Sequence, residues 1–175
     1  MRARMRLARA RLARAPGVLV GRGVTVGRGV RAQVLPGAEL RIGDGCRIGE
    51  RARVVVQGGR VELGPGVVLG ERCTIVAHAG VSIGAGTRLE DGAVIVDFNH
   101  VIDDVEVPIR VQPLVCAPVV VGAHARVGLG TSILSGVCVG DGAQVGPHAV
   151  VTHDVAPGAR VGGVPARPPA AGERA

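Results

Sequence analysis

An aliphatic residue returns every sixth position along most of this chain, and few folds tolerate so strict a beat. The sets are Val20, Val26 and the weaker Ala32; Ile42, Ile48, Val54; Leu63, Leu69, Ile75; Ile83, Leu89, Ile95; and, after a gap, Val121, Val127, Ile133, Val139, Val145, Val151. Seventeen of these eighteen positions hold Val, Ile or Leu. Gly follows in eleven of them, from Gly21 and Gly27 to Gly140 and Gly146. The residue two places earlier is small or aliphatic, as at Cys46, Ala52, Cys73, Thr87, Ala93, Ala125, Thr131 and Ala143. On a strand, positions two apart face the same side, so both point inward. The Gly is read as supplying turn backbone that other residues enter at a cost.

The Gly drops out at Gln33, Val55, Val76, Val96, Leu134 and Thr152, the third repeat of each triplet. Three hexads therefore make one circuit of a triangular prism with three short strands. Coil starts at Val20, Ile42, Leu63 and Ile83 lie twenty to twenty-two apart, so two to four residues bulge at one corner. Val121 and Val139 are eighteen apart, with no insertion. An antiparallel meander would alternate aliphatics too, but would not hold a six-residue phase with Gly at one offset. Parallel stacking leaves the end coils needing covers. The expected fold is all-β, a parallel β-helix with a short N-terminal helix and a protruding loop. The core would be aliphatic, since Phe98 is the only aromatic residue.

Three segments follow: an Arg-rich cap at 1–16, the β-helix at 17–163, and a tail at 164–175 that Pro165, Pro168 and Pro169 keep from continuing the repeat. In the cap, Met5, Ala8 and Leu12 share a helix face, read as covering the first coil; an interfacial helix near anionic lipid and a transit peptide share this composition. The net charge is +7, all 21 basic residues are Arg, and six of them lie in the first fourteen positions. The body looks close to neutral, without the basic stripe interleaved with aromatics that nucleic-acid binding would want. No eighteen-residue apolar run and no secretory leader is present, so a cytoplasmic setting is expected. The cysteines (Cys46, Cys73, Cys116, Cys138) form no metal-type pair, and Cys46 and Cys73 fall on inward positions as buried thiols.

Between Ile95 and Val121 the beat breaks. The loop 97–118, DFNHVIDDVEVPIRVQPLVCAP, carries Phe98, Asp97, Asp103 and Asp104. A long insertion in a regular scaffold is usually functional. His is the best general base at neutral pH, and His100 stands at the root of this loop, three residues after Asp97. Asp97, Asp103 and Asp104 are each candidates to orient it. His78 lies on the same corner one coil earlier, and His124 points outward. His148 and His153, five apart, resemble the zinc ligation of β-helical carbonic anhydrases but have no third partner in view, so no metal is expected.

The chain from about Val18 to Arg167 resembles the hexapeptide-repeat acetyltransferases, in the maltose, galactoside and polysaccharide O-acetyltransferase branch. DFNHVIDDVEVPIRVQ is similar to that family's pattern of Asp, two residues, His, an acidic stretch, Pro-Ile and Gln. The stretch from Val119 to Arg167 resembles its last two coils and its Gly-x-Pro-Ala terminus. The resemblance implies a left-handed helix, a homotrimer, and acetyl-coenzyme A as donor to a sugar or glycan hydroxyl. It carries the catalytic base onto His100. Gly128, Leu129, Gly146, Pro147 and Thr152 fall where the family lays the pantetheine arm, with the N–H of Leu129 as oxyanion donor and Arg167 at the nucleotide phosphates. There are departures: Arg126 replaces a Trp, Pro147 and His148 replace Ala-Gly, and His153 replaces a Lys. Pro147 has no N–H to give. The rival expectation is a non-catalytic β-helix serving as a structural subunit.

Overall fold

The computed structural model describes residues 12–103 and 105–169. The chain winds through about six circuits of a parallel β-solenoid with three faces. Sheet 1 stacks Val18–Val20, Glu39–Ile42, Arg60–Leu63, Gly80–Ile83, Val119–Val121 and Cys138–Val139. Sheet 2 has seven two-residue strands, from Thr25–Val26 to Arg160–Val161, and sheet 3 has six, from Arg31–Val34 to Val150–Val151. The repeat sets the register: Ile42 pairs with Leu63, Leu63 with Ile83, Ile83 with Val121 and Val121 with Val139.

Sixteen of the eighteen six-residue positions are buried; Val20 and Ala32, in the first coil, are partly open. The first coil has a neighbour on one side only. The small residues two places earlier, Cys46 to Ala143, are buried as expected. Large aliphatics and small residues thus alternate along each inward edge and fill a narrow lumen without aromatics. The Cys46 and Cys73 thiols donate to the carbonyls of Gly64 (3.2 Å) and Glu90 (3.1 Å), and burial pushes both thiol pKa values up, that of Cys73 to about 11.

The repeat glycines need a different explanation from the expected one. None of the eleven has a positive φ; the left-handed position lies two residues later, at Gly45, Gly130, Arg51 or His148. At ten of the eleven, all but Gly146, what requires Gly is the next coil. A Cβ on Gly43 would sit 2.7 Å from the backbone of Gly64, and one on Gly128 would sit 2.6 Å from the nitrogen of Pro147. The stacked corners approach too closely for any side chain.

The N-terminal helix assigned to 1–16 lies mostly outside the described residues; Leu12 packs into the core of the first coil. At the other end the chain folds back after Val161. Gly162 and Arg167 exchange backbone hydrogen bonds, and the Ala166 N–H donates to the Val150 carbonyl (2.8 Å). No helix among the described residues is long and apolar enough to cross a membrane.

Candidate functional site

The inserted loop leaves the solenoid at the corner between sheets 3 and 1. Its two ends pair as the one antiparallel sheet among the described residues: Phe98–His100 against Leu114–Cys116, with His100 opposite Leu114. A 3-10 turn at Ile109–Val111 closes the far end.

Asp97 takes the inward position after Ile95 and is fully buried. Its carboxylate accepts from the backbone N–H groups of His78 (2.8 and 3.0 Å), Ala79 (2.8 Å) and Gly80 (2.6 Å). These donors belong to the corner one coil earlier. A buried charge is stable only when hydrogen-bonded, and here it caps the turn that leads into the strand Gly80–Ile83. Among the described residues no hydrogen bond joins Asp97 to His100; its partners there are backbone N–H groups. The exit of the loop is tied similarly. Ala117 donates to Asp97 O (2.9 Å) and to Ser135 Oγ (3.2 Å), and the Gly136 N–H donates to Ala117 O (3.0 Å).

The Phe98 ring packs edge-on to His78, with centroids 4.7 Å apart, and lies 6.1 Å from His100. His78, half-buried, is thus brought to the same corner as His100, which is exposed. Among the described residues nothing hydrogen-bonds the His100 ring. Asp103 is exposed, and Asp104 lies outside the described residues.

The residues expected to hold the thiol carrier divide between places. Gly128 and Leu129 share the sheet 2–3 corner with Gly146 and Pro147, one coil on. Thr152 follows the last strand of sheet 3, with Oγ1 2.8 Å from His153 Nδ1. Arg167 lies on the folded-back end, its guanidinium donating to Ala166 O (3.1 Å). Within one chain, sheet 3 separates His100 from Leu129. A hollow of about 230 Å³ lies beside Leu129, lined also by Val68, Arg88 and Asp91. A hollow of about 390 Å³ lies far from the loop, on sheet 2 of the first three coils, between Arg28, Arg47, Glu50 and Glu71.

Pro147 has a consequence that its sequence position conceals. At three equivalent corners, an Asp one coil on accepts the N–H: Asp44 from Arg22 (2.7 Å), Asp91 from Glu71 (2.8 Å) and Asp141 from Ala123 (2.7 Å). Pro147 stands in that place for Leu129 and has no acceptor. The Leu129 N–H makes no hydrogen bond among the described residues. No three His, Cys, Asp or Glu side chains among the described residues group as a metal site; His148 instead sits over Gly130.

No family model matches the chain. It is 37% identical over 71 residues to the probable acetyltransferase Rv3034c of Mycobacterium tuberculosis, which is 41% of this chain and 24% of that protein. The chain thus spans about a quarter of the length of the curated relative it matches. The N-acyltransferase AntD of Bacillus cereus, solved with dTDP and 3-hydroxybutyryl-CoA, superposes with a TM-score of 0.77 at 15% identity, over 98% of this chain and 89% of AntD. A maltose O-acetyltransferase of Clostridium difficile 630 superposes with a TM-score of 0.61 at 21% identity, over 89% of this chain and 70% of that one. At these identities the likeness is one of fold: the chain is a parallel β-solenoid of the form those acyltransferases share.

Proposed function

We propose that this chain is an acetyl-coenzyme A-dependent O-acetyltransferase acting on a sugar or glycan hydroxyl, with His100 as general base. The observation that carries the reading is the exposed imidazole of His100, without a hydrogen-bond partner among the described residues, on a hairpin pinned to the solenoid at both ends. The acyl-CoA bound to AntD and the name of the mycobacterial relative support the donor. His100 takes the proton of the acceptor hydroxyl, and that oxygen attacks the thioester carbonyl. The Leu129 N–H meets the oxyanion, a contribution commonly worth about 3 kcal/mol. The C–S bond breaks, and protonated His100 returns its proton to the thiolate. Asp97 acts as a positioning residue that fixes the loop root. Gly128, Gly146, Pro147 and Thr152 line the pantetheine path, and Arg167 meets the nucleotide phosphates.

Since sheet 3 separates His100 from Leu129, one chain does not close the site. A left-handed homotrimer in which the His100 of each chain faces the Leu129 corner of its neighbour does. Thiol release from acetyl-coenzyme A, measured with a panel of sugars and paired with sedimentation analysis, tests this. Acceptor-dependent release by a trimer is expected. No release with any sugar would leave the structural-subunit reading.

A further inference from the structure

The outward positions of sheet 2 stack into one row: Thr25, Arg47, Val68, Arg88, Arg126, Gln144 and Arg160, each in register with the next. The four arginines are exposed. The ion pairs among the described residues join Glu39 to Arg41 and Arg60; none involves the row. Arg88 and Arg126 are direct neighbours, about 4.8 Å apart along the stack, and like charges so placed repel. The flanks differ along the row. Glu50, Glu71, Glu90 and Asp91 lie on the sheet 2–3 corner beside its first rungs, whereas from Arg126 onward that corner carries Gly128, Leu129, Gly146 and Pro147 and no carboxylate. On the other flank Asp141 is engaged with the Ala123 N–H, and His124 is exposed.

We infer that the rungs from Arg88 to Arg160 are a docking strip for an extended acidic glycan, which deepens the proposed function and rests on it only in making that glycan the acceptor. Guanidinium groups bind carboxylates bidentately. The strip spans four rungs, about 14 Å, more than a single sugar acid bridges, and it passes the Leu129 corner at its Arg126 rung. Nucleic acid fits poorly, because strand binding needs aromatic stacking platforms and Phe98 lies across sheet 3.

The test is calorimetric titration of the full chain with hexagalacturonate, with maltohexaose, and with a single-stranded oligonucleotide. Hexagalacturonate is expected to bind at least tenfold tighter than either and to weaken as salt rises. R126Q/R160Q should lose at least fivefold of that affinity. R31Q/R53Q, which removes the same charge from sheet 3, should stay within twofold of the parent, and acetyl-coenzyme A binding should be unchanged in both. Equal binding of maltohexaose, tighter binding of the oligonucleotide, or equal losses in the two variants would overturn the strip. Glycan binding without thiol release from acetyl-coenzyme A would overturn the transferase reading and leave the strip standing.

Discussion

The corner between sheets 3 and 1 is crossed by residues 78–79 in one coil and by 97–118 in the next. Yet Ile83 stacks on Val121 in the same register as Leu63 on Ile83. The scaffold counts inward positions, and chain that leaves and returns at the same rung costs it nothing in register. Loop closure adds only slowly with length. The short corner and the long one are also chemically joined: Asp97, on the long corner, supplies the acceptor that the N–H groups of the short one lack. The long corner is thus both ornament and structural cap.

Removing the imidazole tests whether the long corner carries the chemistry. His100→Ala should lower turnover roughly a hundredfold or more, as loss of a general base does, with an unchanged melting temperature. Turnover at the parental rate would sink the assignment.

Removing the cap tests whether the two corners are one unit. Asp97→Ala leaves the N–H groups of His78, Ala79 and Gly80 without an acceptor and should cost about 3 kcal/mol in urea unfolding. Asp97→Asn should fall between, since its amide keeps one acceptor oxygen and turns donors toward donors. A midpoint equal to that of the parent would show that water satisfies the short corner.

A second pair of corners sharpens the contrast between closed and open ones. The Ala123 N–H is closed by Asp141, while that of Leu129 is left open by Pro147. Pro147→Asp should supply the missing acceptor, occupy the Leu129 donor and lower turnover about tenfold or more, with a smaller change in KM for acetyl-coenzyme A. An unchanged rate would assign the oxyanion to another donor.

The stack itself was legible in the sequence because its cause is local: a fixed phase of inward aliphatics such as Ile42, Leu63 and Ile83 decides burial and register together. The reason for the repeat glycines was not, since the crowding at Gly128 comes from Pro147, nineteen residues away. Spacing brought Asp97 near His100 in the chain, but its alternation along the strand turns the carboxylate inward, to the coil below. The arginine row was not legible because Arg88, Arg126 and Arg160 fall into one row only through stacking. Ser135, which ties down the loop exit, gave no signal beyond a polar residue at an inward position.

The smallest effect at neutral pH belongs to the interior, which the loop leaves alone. Cys116 and Cys138 are exposed, whereas Cys46 and Cys73 are buried. The thiolate is the reactive form, so at pH 8 a thiol reagent should modify the two exposed cysteines quickly and the other two only on unfolding. Burial holds the folded Cys73 pKa near 11 against an ordinary value of 9.0. The neutral thiol favours the folded state, so its contribution is intact below pH 9 and fades as pH rises toward about 11. Unfolding free energy should fall across that window by on the order of 2 kcal/mol, and Cys73→Ala should flatten the slope. Rapid labelling of all four cysteines in the folded protein would mean that the coils open locally, and the long corner would then be perturbing the stack after all.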